Sequence, residues 1–281
     1  MLGAITGDTI GSRFEFRGNK STDFELFGPG CRYTDDSVMT MAVAEWLLDD
    51  SSHSSHEVLE TKMVKYGELA PNAGYGGMFS RWLFFSKLIN KDGKRKPYNS
   101  FGNGSAMRVS AVGWMFDTLE ETERVAEISS SITHNHPEGI KGAQATAAAI
   151  FMARNGKDKE EIRDYISKKY DYDLNRTCNA IRPSYGFEVS CQRSVPESII
   201  AFLDSEDYET TIRLAVSLGG DSDTQACIAG GIAEAYYGMP DEIVAAMAYH
   251  LPSNYKANII RLAEESAYQC RLGQIRRCWG M

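Results

Sequence analysis

The chain has 281 residues, 43% hydrophobic and 24% charged, with a formal net charge of −8. That length suits one large domain or two small ones with a full hydrophobic core, and the acidic balance argues against general nucleic-acid binding, which needs many phosphate-neutralising Lys and Arg. No apolar run reaches the roughly 20 residues that span a bilayer, so no membrane partner is expected. The six cysteines (Cys31, Cys178, Cys191, Cys227, Cys270, Cys278) contain no CxxC pair and read as reduced thiols of a cytoplasmic protein. The start, Met1 to Asp8, has no basic region and does not read as a signal peptide.

In chain order, apolar residues recur at i, i+3, i+4 and i+7, the mark of one buried helical face. The pattern predicts helices over Asp35–Leu48, Val58–Leu69, Leu119–Ile132, Gly139–Ala153 and Lys159–Lys169. It continues over Ser198–Leu203, Tyr208–Leu218, Gln225–Tyr237, Asp241–Ala248 and Asn254–Leu272. The short basic stretch Lys91 to Lys96 reads as a solvated loop. The best strand candidate, Tyr185 to Val189, is short. Two of the helices are rich in small residues, Gly142 to Ala149 and Ala226 to Ala235. Small side chains let helix axes approach closely, so these two belong in the middle of a bundle. The expectation is a single all-α domain over residues 1–281.

Two acidic clusters carry the chemistry: Thr34-Asp35-Asp36-Ser37 and Gly220-Asp221-Ser222-Asp223-Thr224. Each sits where a helix starts, and Asp, Ser and Thr are common there because they satisfy free N–H groups. A cap needs one carboxylate or hydroxyl, however, and here three ligands stand in a row. The helices that follow are apolar, so their first turns are expected inside the protein, where carboxylates cannot crowd together without cations. The donor set lacks Cys and His, which argues against Zn²⁺ and suits Mg²⁺, Mn²⁺ or Ca²⁺. Six ligands exceed what one Mg²⁺ takes from protein, so a pair of cations fits better.

The same residues carry a resemblance. Gly3-Ala4-Ile5-Thr6-Gly7-Asp8-Thr9-Ile10-Gly11 with Glu15 comes first, then Tyr33-Thr34-Asp35-Asp36-Ser37. Gly102-Asn103-Gly104-Ser105-Ala106-Met107-Arg108, Thr133-His134 and Ser217 to Thr224 follow in order through nearly the whole chain. With these motifs the chain resembles the ADP-ribosylglycohydrolase family, typified by the dinitrogenase-reductase-activating glycohydrolases. The resemblance implies a compact, orthogonal, all-α multi-helix bundle with a central two-metal site.

It further implies two Mg²⁺ (or Mn²⁺) ions, one held largely by Thr34, Asp35, Asp36 and Asp223, the other by Asp221, Asp223 and Thr224, with Asp223 bridging. Glu15 stands at the spacing of a functional glutamate, and Glu15, Asp35 and Asp223 are the expected catalytic set. Asp8 reads as a buried partner or packing acid rather than a ligand. The loop with Gly102, Asn103, Gly104, Ser105 and Met107 is expected at the diphosphate and ribose, Phe101 on adenine, and His134 near the diphosphate. Tyr75, Tyr185 and Phe187, in loops rich in glycine and aromatics, are expected to line the adenosine or target-side cleft.

The implied reaction is hydrolysis of the glycosidic bond between the distal ribose of ADP-ribose and a modified protein side chain, by a monomer. The partners are ADP-ribose or an ADP-ribosylated protein. Hydrolysis of free ADP-ribose derivatives, another two-metal hydrolase, and a non-catalytic ADP-ribose-binding or crystallin-like role are the alternatives. The intact carboxylates favour an enzyme.

Overall fold

Leu2–Gly11 forms helix α1 although it carries Gly3, Gly7 and Gly11, residues that weaken an isolated helix. All ten of its residues are buried, so packing stabilises it rather than propensity. The computed structural model describes residues 1–90 and 92–281. Next come α2 (Asp35–Asp49), α3 (His56–Leu69), and a continuous helical stretch of α4 (Gly77–Ser80), a π-helical turn (Arg81–Phe85) and α5 (Ser86–Ile89). A 3₁₀ turn (Asn103–Ser105) precedes α6 (Val112–Met115), α7 (Leu119–Ser131), α8 (Pro137–Arg154), α9 (Lys159–Tyr170) and α10 (Cys178–Ile181). The remainder is α11 (Cys191–Leu203), α12 (Tyr208–Ser217), α13 (Ser222–Tyr237), α14 (Asp241–His250), α15 (Ser253–Glu265) and α16 (Gln269–Trp279). The fold is all-α, with no strand among the described residues. The extended segment 185–189 leads only to an isolated bridge between Gly102 and Ser190.

The centre of the bundle is the antiparallel pair α1 and α13. The α1 glycines, four residues apart, lie on one helix face. A Cβ at Gly7 would stand 2.0 Å from the Ala226 carbonyl oxygen, and one at Gly11 would stand 2.4 Å from that of Ser222. Backbone therefore rests on backbone, and the C-terminal end of α1 is fixed beside the N-terminus of α13. At the other end Glu234 of α13 accepts from the Met1 ammonium, the Gly3 N–H at 2.8 Å and the Tyr268 hydroxyl, pinning the register. The small-residue helix α8 packs against α13, α11 and α7, as its composition predicts.

Some helix boundaries, and the exposure of the basic stretch, differ from the sequence reading. Helix α11 runs through Pro196 from Cys191, carried by its buried face of Val195, Ile199, Ile200 and Phe202. The segment 254–272 is two helices. Ser266 breaks it, its hydroxyl donating to the Leu262 carbonyl at 2.7 Å and accepting from the Tyr268 N–H at 3.1 Å, bonds that compete with the helix. The basic stretch is only partly solvated: Arg95 reaches Glu60 at 3.0 Å and the Trp82 and Leu83 carbonyls, while residue 91 lies outside the described residues. No helix among the described residues is long and apolar enough to cross a membrane.

Candidate active site

Four chain segments meet at one end of the α1–α13 pair. These are the C-terminal end of α1 with the loop after it, the first turns of α2 and α13, and the turn at 103–105. The N-termini of α2 and α13 bring partial positive charge there, which favours carboxylates. Thr34 is the N-cap of α2, and Asp221 is the N-cap of α13, which starts at Ser222 rather than Gln225.

Asp8 ties the first two segments together. Its Oδ2 accepts from the Thr34 N–H at 2.9 Å, the Ser37 N–H at 3.1 Å and the Ser37 hydroxyl, and its Oδ1 accepts from the Thr34 hydroxyl at 2.7 Å. Carboxylate atoms of Asp8, Asp36 and Asp223 lie within 4.8 Å of one another, as do those of Glu15, Asp221 and Asp223. Asp223 belongs to both sets. The Asn103 amide donates to Asp221 Oδ2 at 2.7 Å, joining the 103–105 turn to the carboxylates.

Charge is badly compensated in this cluster. Burial pushes the carboxyls up: Asp8 to about 6, and Glu15, with the nearby Asp221 charge adding, to about 7. Asp35 rises to about 8 through burial and then the Asp8 charge. Asp36 and Asp223 are raised well above the ordinary range by burial and by each other's neighbourhood of carboxylates, and Asp221 is raised by burial. Asp36 Oδ1 is buried without a hydrogen-bond partner. A buried anion with an unpartnered oxygen is costly unless a cation meets it. The donors are all oxygen, the set that Mg²⁺, Mn²⁺ and Ca²⁺ take, so the residues fit divalent metal ions.

These carboxylates form one wall of a cavity of about 560 Å³. Its lining includes Glu15, Asp35, Asp36, Asp221, Asp223 and Thr224 on that side, and Phe101, Gly102, Asn103, Gly104, Met107 and His134 on another. The volume suits a ligand of nucleotide size. Gly102 and Gly104 are needed for close approach, since a Cβ at Gly104 would stand 3.2 Å from His134 Nε2. Arg108, fully buried, donates to the Ser129 carbonyl at 2.7 Å and to Thr133 Oγ1 at 2.9 Å. The Thr133 hydroxyl lies 2.7 Å from His134 Nδ1, and when it donates there the His134 proton sits on Nε2, which faces the loop. Burial and then the Arg108 charge hold His134 well below its ordinary pKa, so it is a neutral donor.

Other expected residues are placed differently. Thr34 is buried in the Asp8 network, outside the cavity lining. Ser105 is buried and donates to the Gly139 carbonyl at 2.7 Å. Phe101 is half exposed, its ring edge-on to His136 at 5.5 Å. The Tyr75 hydroxyl donates to the Ala70 carbonyl at 3.0 Å, and that of Tyr185 to the Arg193 carbonyl at 2.8 Å. Neither tyrosine lines the cavity, although the Tyr185 ring covers Gly220, next to Asp221. Motif reading placed Arg108 only as the end of the Gly102 to Arg108 loop, with no role of its own, and gave none to Tyr98, Met78 or Phe79, which also line the cavity. For Arg108 the available signal was a lone basic residue inside an otherwise small and apolar stretch.

Comparison with known proteins identifies the family of the chain. The profile of the family described as ADP-ribosylglycohydrolase matches residues 1–275. ADP-ribosylhydrolase ARH3 of Homo sapiens is 27% identical, over 85% of this chain and 84% of its own. ADP-ribosylarginine hydrolase Tri1 of Pseudomonas putida is 26% identical, over 94% of this chain and 76% of its own. The solved structure of an ADP-ribosylglycohydrolase-related protein complex superposes with a TM-score of 0.66 at 21% identity, covering 100% of this chain and 96% of that one, and shares the fold. With its whole length matched by the family profile and its acidic motifs gathered at one cavity, this chain belongs to the ADP-ribosylglycohydrolase family and is a glycohydrolase.

Proposed function

We propose that the protein releases ADP-ribose from modified protein side chains with the help of two Mg²⁺ (or Mn²⁺) ions. The observation that supports this most is the position of Asp223, whose carboxylate is common to two oxygen-donor sets at the floor of a nucleotide-sized cavity. On this reading Asp36 and Asp223, with Asp35 and Thr34 beside them, hold one ion. Asp221, Asp223 and Thr224 hold the other, with Glu15 beside them. Asp8 acts from behind, orienting the first turn of α2.

Divalent ions held by these residues would supply positive charge for the hydroxyls of the distal ribose and would make a nearby water more acidic. The protein's own residues do the rest. The His134 Nε2–H and the backbone of Gly102 to Gly104 hold the diphosphate, while Phe101 offers its half-exposed ring to adenine. As the bond from C1 of the distal ribose to the side-chain nitrogen or oxygen breaks, positive charge grows on the ribose, and the carboxylate wall stabilises it. Glu15, which lines the cavity beside Asp221 and Asp223, takes a proton from the attacking water. The water oxygen forms the new bond to C1. The proton that Glu15 took passes, through water, to the leaving nitrogen or oxygen, so free ADP-ribose, an unmodified side chain and an ionised Glu15 result.

The test is Glu15→Gln. It is expected to bind ADP-ribose in the presence of Mg²⁺ like the parent protein by calorimetry, and to turn over roughly 10²-fold more slowly or worse. Unchanged turnover would remove Glu15 from the chemistry.

A further inference from the structure

We propose that Phe16 and Phe187 form an aromatic platform at the mouth of the cavity that grips an apolar side chain next to the modified residue. The substrate is then an ADP-ribosylated polypeptide segment rather than a free ADP-ribose derivative. The inference rests on the hydrolase reading above and adds to it the kind of partner the mouth fits.

Three observations carry it. Phe16 is 75% exposed and Phe187 is 51% exposed, yet their rings face each other with centroids 4.9 Å apart. Two large apolar rings are thus left together in water, the mark of a surface that meets a partner. Phe16 also has φ 61°, a left-handed conformation that bulky side chains rarely adopt. Strain of this kind gathers at functional sites, and here it aims an exposed ring outward directly beside Glu15. Finally, the pair is continuous with the cavity. Glu15 precedes Phe16 and lines the cavity, and Val189, two residues past Phe187, lines it and is 47% exposed.

The geometry of the reaction supplies the occupant. With C1 of the distal ribose at the carboxylates, the modified side chain leaves past Glu15, and the polypeptide that bears it must lie across the adjoining rim. That rim offers two rings and the Val189 side chain. An apolar or aromatic neighbour of the modified residue buries surface against the two rings, which lie outside the cavity lining, whereas Val189 lies at the boundary of the two.

The experiment compares kcat/KM for three substrates of one linkage: an ADP-ribosylated peptide with Leu or Phe beside the modified residue, the same peptide with Gly and Ser there, and ADP-ribose on the free amino acid. The unaltered protein should prefer the apolar-flanked peptide by roughly tenfold, the return on burying about one ring. Phe16→Asn keeps a residue that tolerates the left-handed backbone while removing the ring. It should erase that preference, leave the free amino-acid conjugate unchanged, and be rescued by Phe16→Tyr. Phe187→Ser should show the same loss on the apolar-flanked peptide.

Equal slowing of all three substrates by Phe16→Asn would make the ring a brace for Glu15 and overturn the proposal. So would equal use of the three substrates by the unaltered protein, or a dimer that Phe16→Asn dissolves. Failure of the unaltered protein to release ADP-ribose from any of the three would instead remove the hydrolase reading, and this inference with it.

Discussion

The side-chain amide of Asn103 donates to Asp221 Oδ2 at 2.7 Å, across 118 residues of sequence. The bond joins the glycine-bearing turn at 103–105 to the acidic first turn of α13, so the glycine-loop wall and the carboxylate wall of the cavity are tied together by this contact. An outer partner of this kind orients a ligand and is worth about 10–100-fold in metal affinity. Asn103→Ala is therefore expected to weaken Mg²⁺ binding by about tenfold in calorimetry, with circular dichroism unchanged. Unaltered affinity would show that Asp221 needs no such support.

Asp36 is expected to be a stability liability without metal. Its Oδ1 is unpartnered and its carboxyl is surrounded by Asp8, Asp35 and Asp221. Asp36→Asn should raise the melting temperature of metal-free protein, by about 2 °C for each kcal/mol of repulsion removed. The same change should abolish the rise that millimolar Mg²⁺ gives the parent. A variant that still gains the full rise would place the metal elsewhere.

The pH dependence has a definite sign. Glu15 near 7, Asp35 near 8 and Asp8 near 6 all lie above the value of about 4 that such groups have in an unfolded chain. Folded metal-free protein therefore binds more protons than unfolded protein between about pH 4 and 8. The stability is fully present below the unfolded pKa and is lost as pH rises through the folded values. Metal-free protein should melt lower at about pH 8 than at about pH 5, and the rise that Mg²⁺ gives should be larger at the higher pH. Melting curves with and without chelator measure both, and a metal-free midpoint that does not move would contradict the assignment.

The α1–α13 contact predicts opposite outcomes for two glycines. A Cβ at Gly7 would meet the Ala226 carbonyl oxygen at 2.0 Å, with only backbone there to yield. Gly7→Ala should cost about 3 kcal/mol or more, or prevent folding, because overpacked backbone must shift. Gly273, inside α16, has open space around it. Gly273→Ala should stabilise by about 0.5–1 kcal/mol through helix propensity alone. Denaturant midpoints compare the two.

Much of this was legible in the sequence, for local reasons. Amphipathic helices such as α7 and α12 announce themselves by period, and Thr34, Asp35 and Asp36 announce the start of α2 by capping chemistry. Helix α1 does not, since all its faces are buried and it therefore has no polar side to set a period. Pro196 hid the first two turns of α11. In the site, the acidic clusters were visible as chemistry in excess of capping. The hold of Asp8 on Thr34 and Ser37, and the chain from Arg108 through Thr133 to His134, depend on contacts that only the tertiary fold makes. The partners of Tyr75 and Tyr185 were equally out of reach: their hydroxyls donate to the Ala70 and Arg193 carbonyls.

The central claim is that the carboxylates around Asp223 hold divalent metal for release of ADP-ribose. The most direct measurement is ADP-ribose freed from arginine- and serine-linked ADP-ribosylated peptides, with Mg²⁺, with chelator, and by Asp223→Ala. Release from at least one linkage with Mg²⁺, lost both on chelation and in Asp223→Ala while the helical signal stays intact, is the predicted result. Release at the same rate in chelator, or by Asp223→Ala, would contradict it.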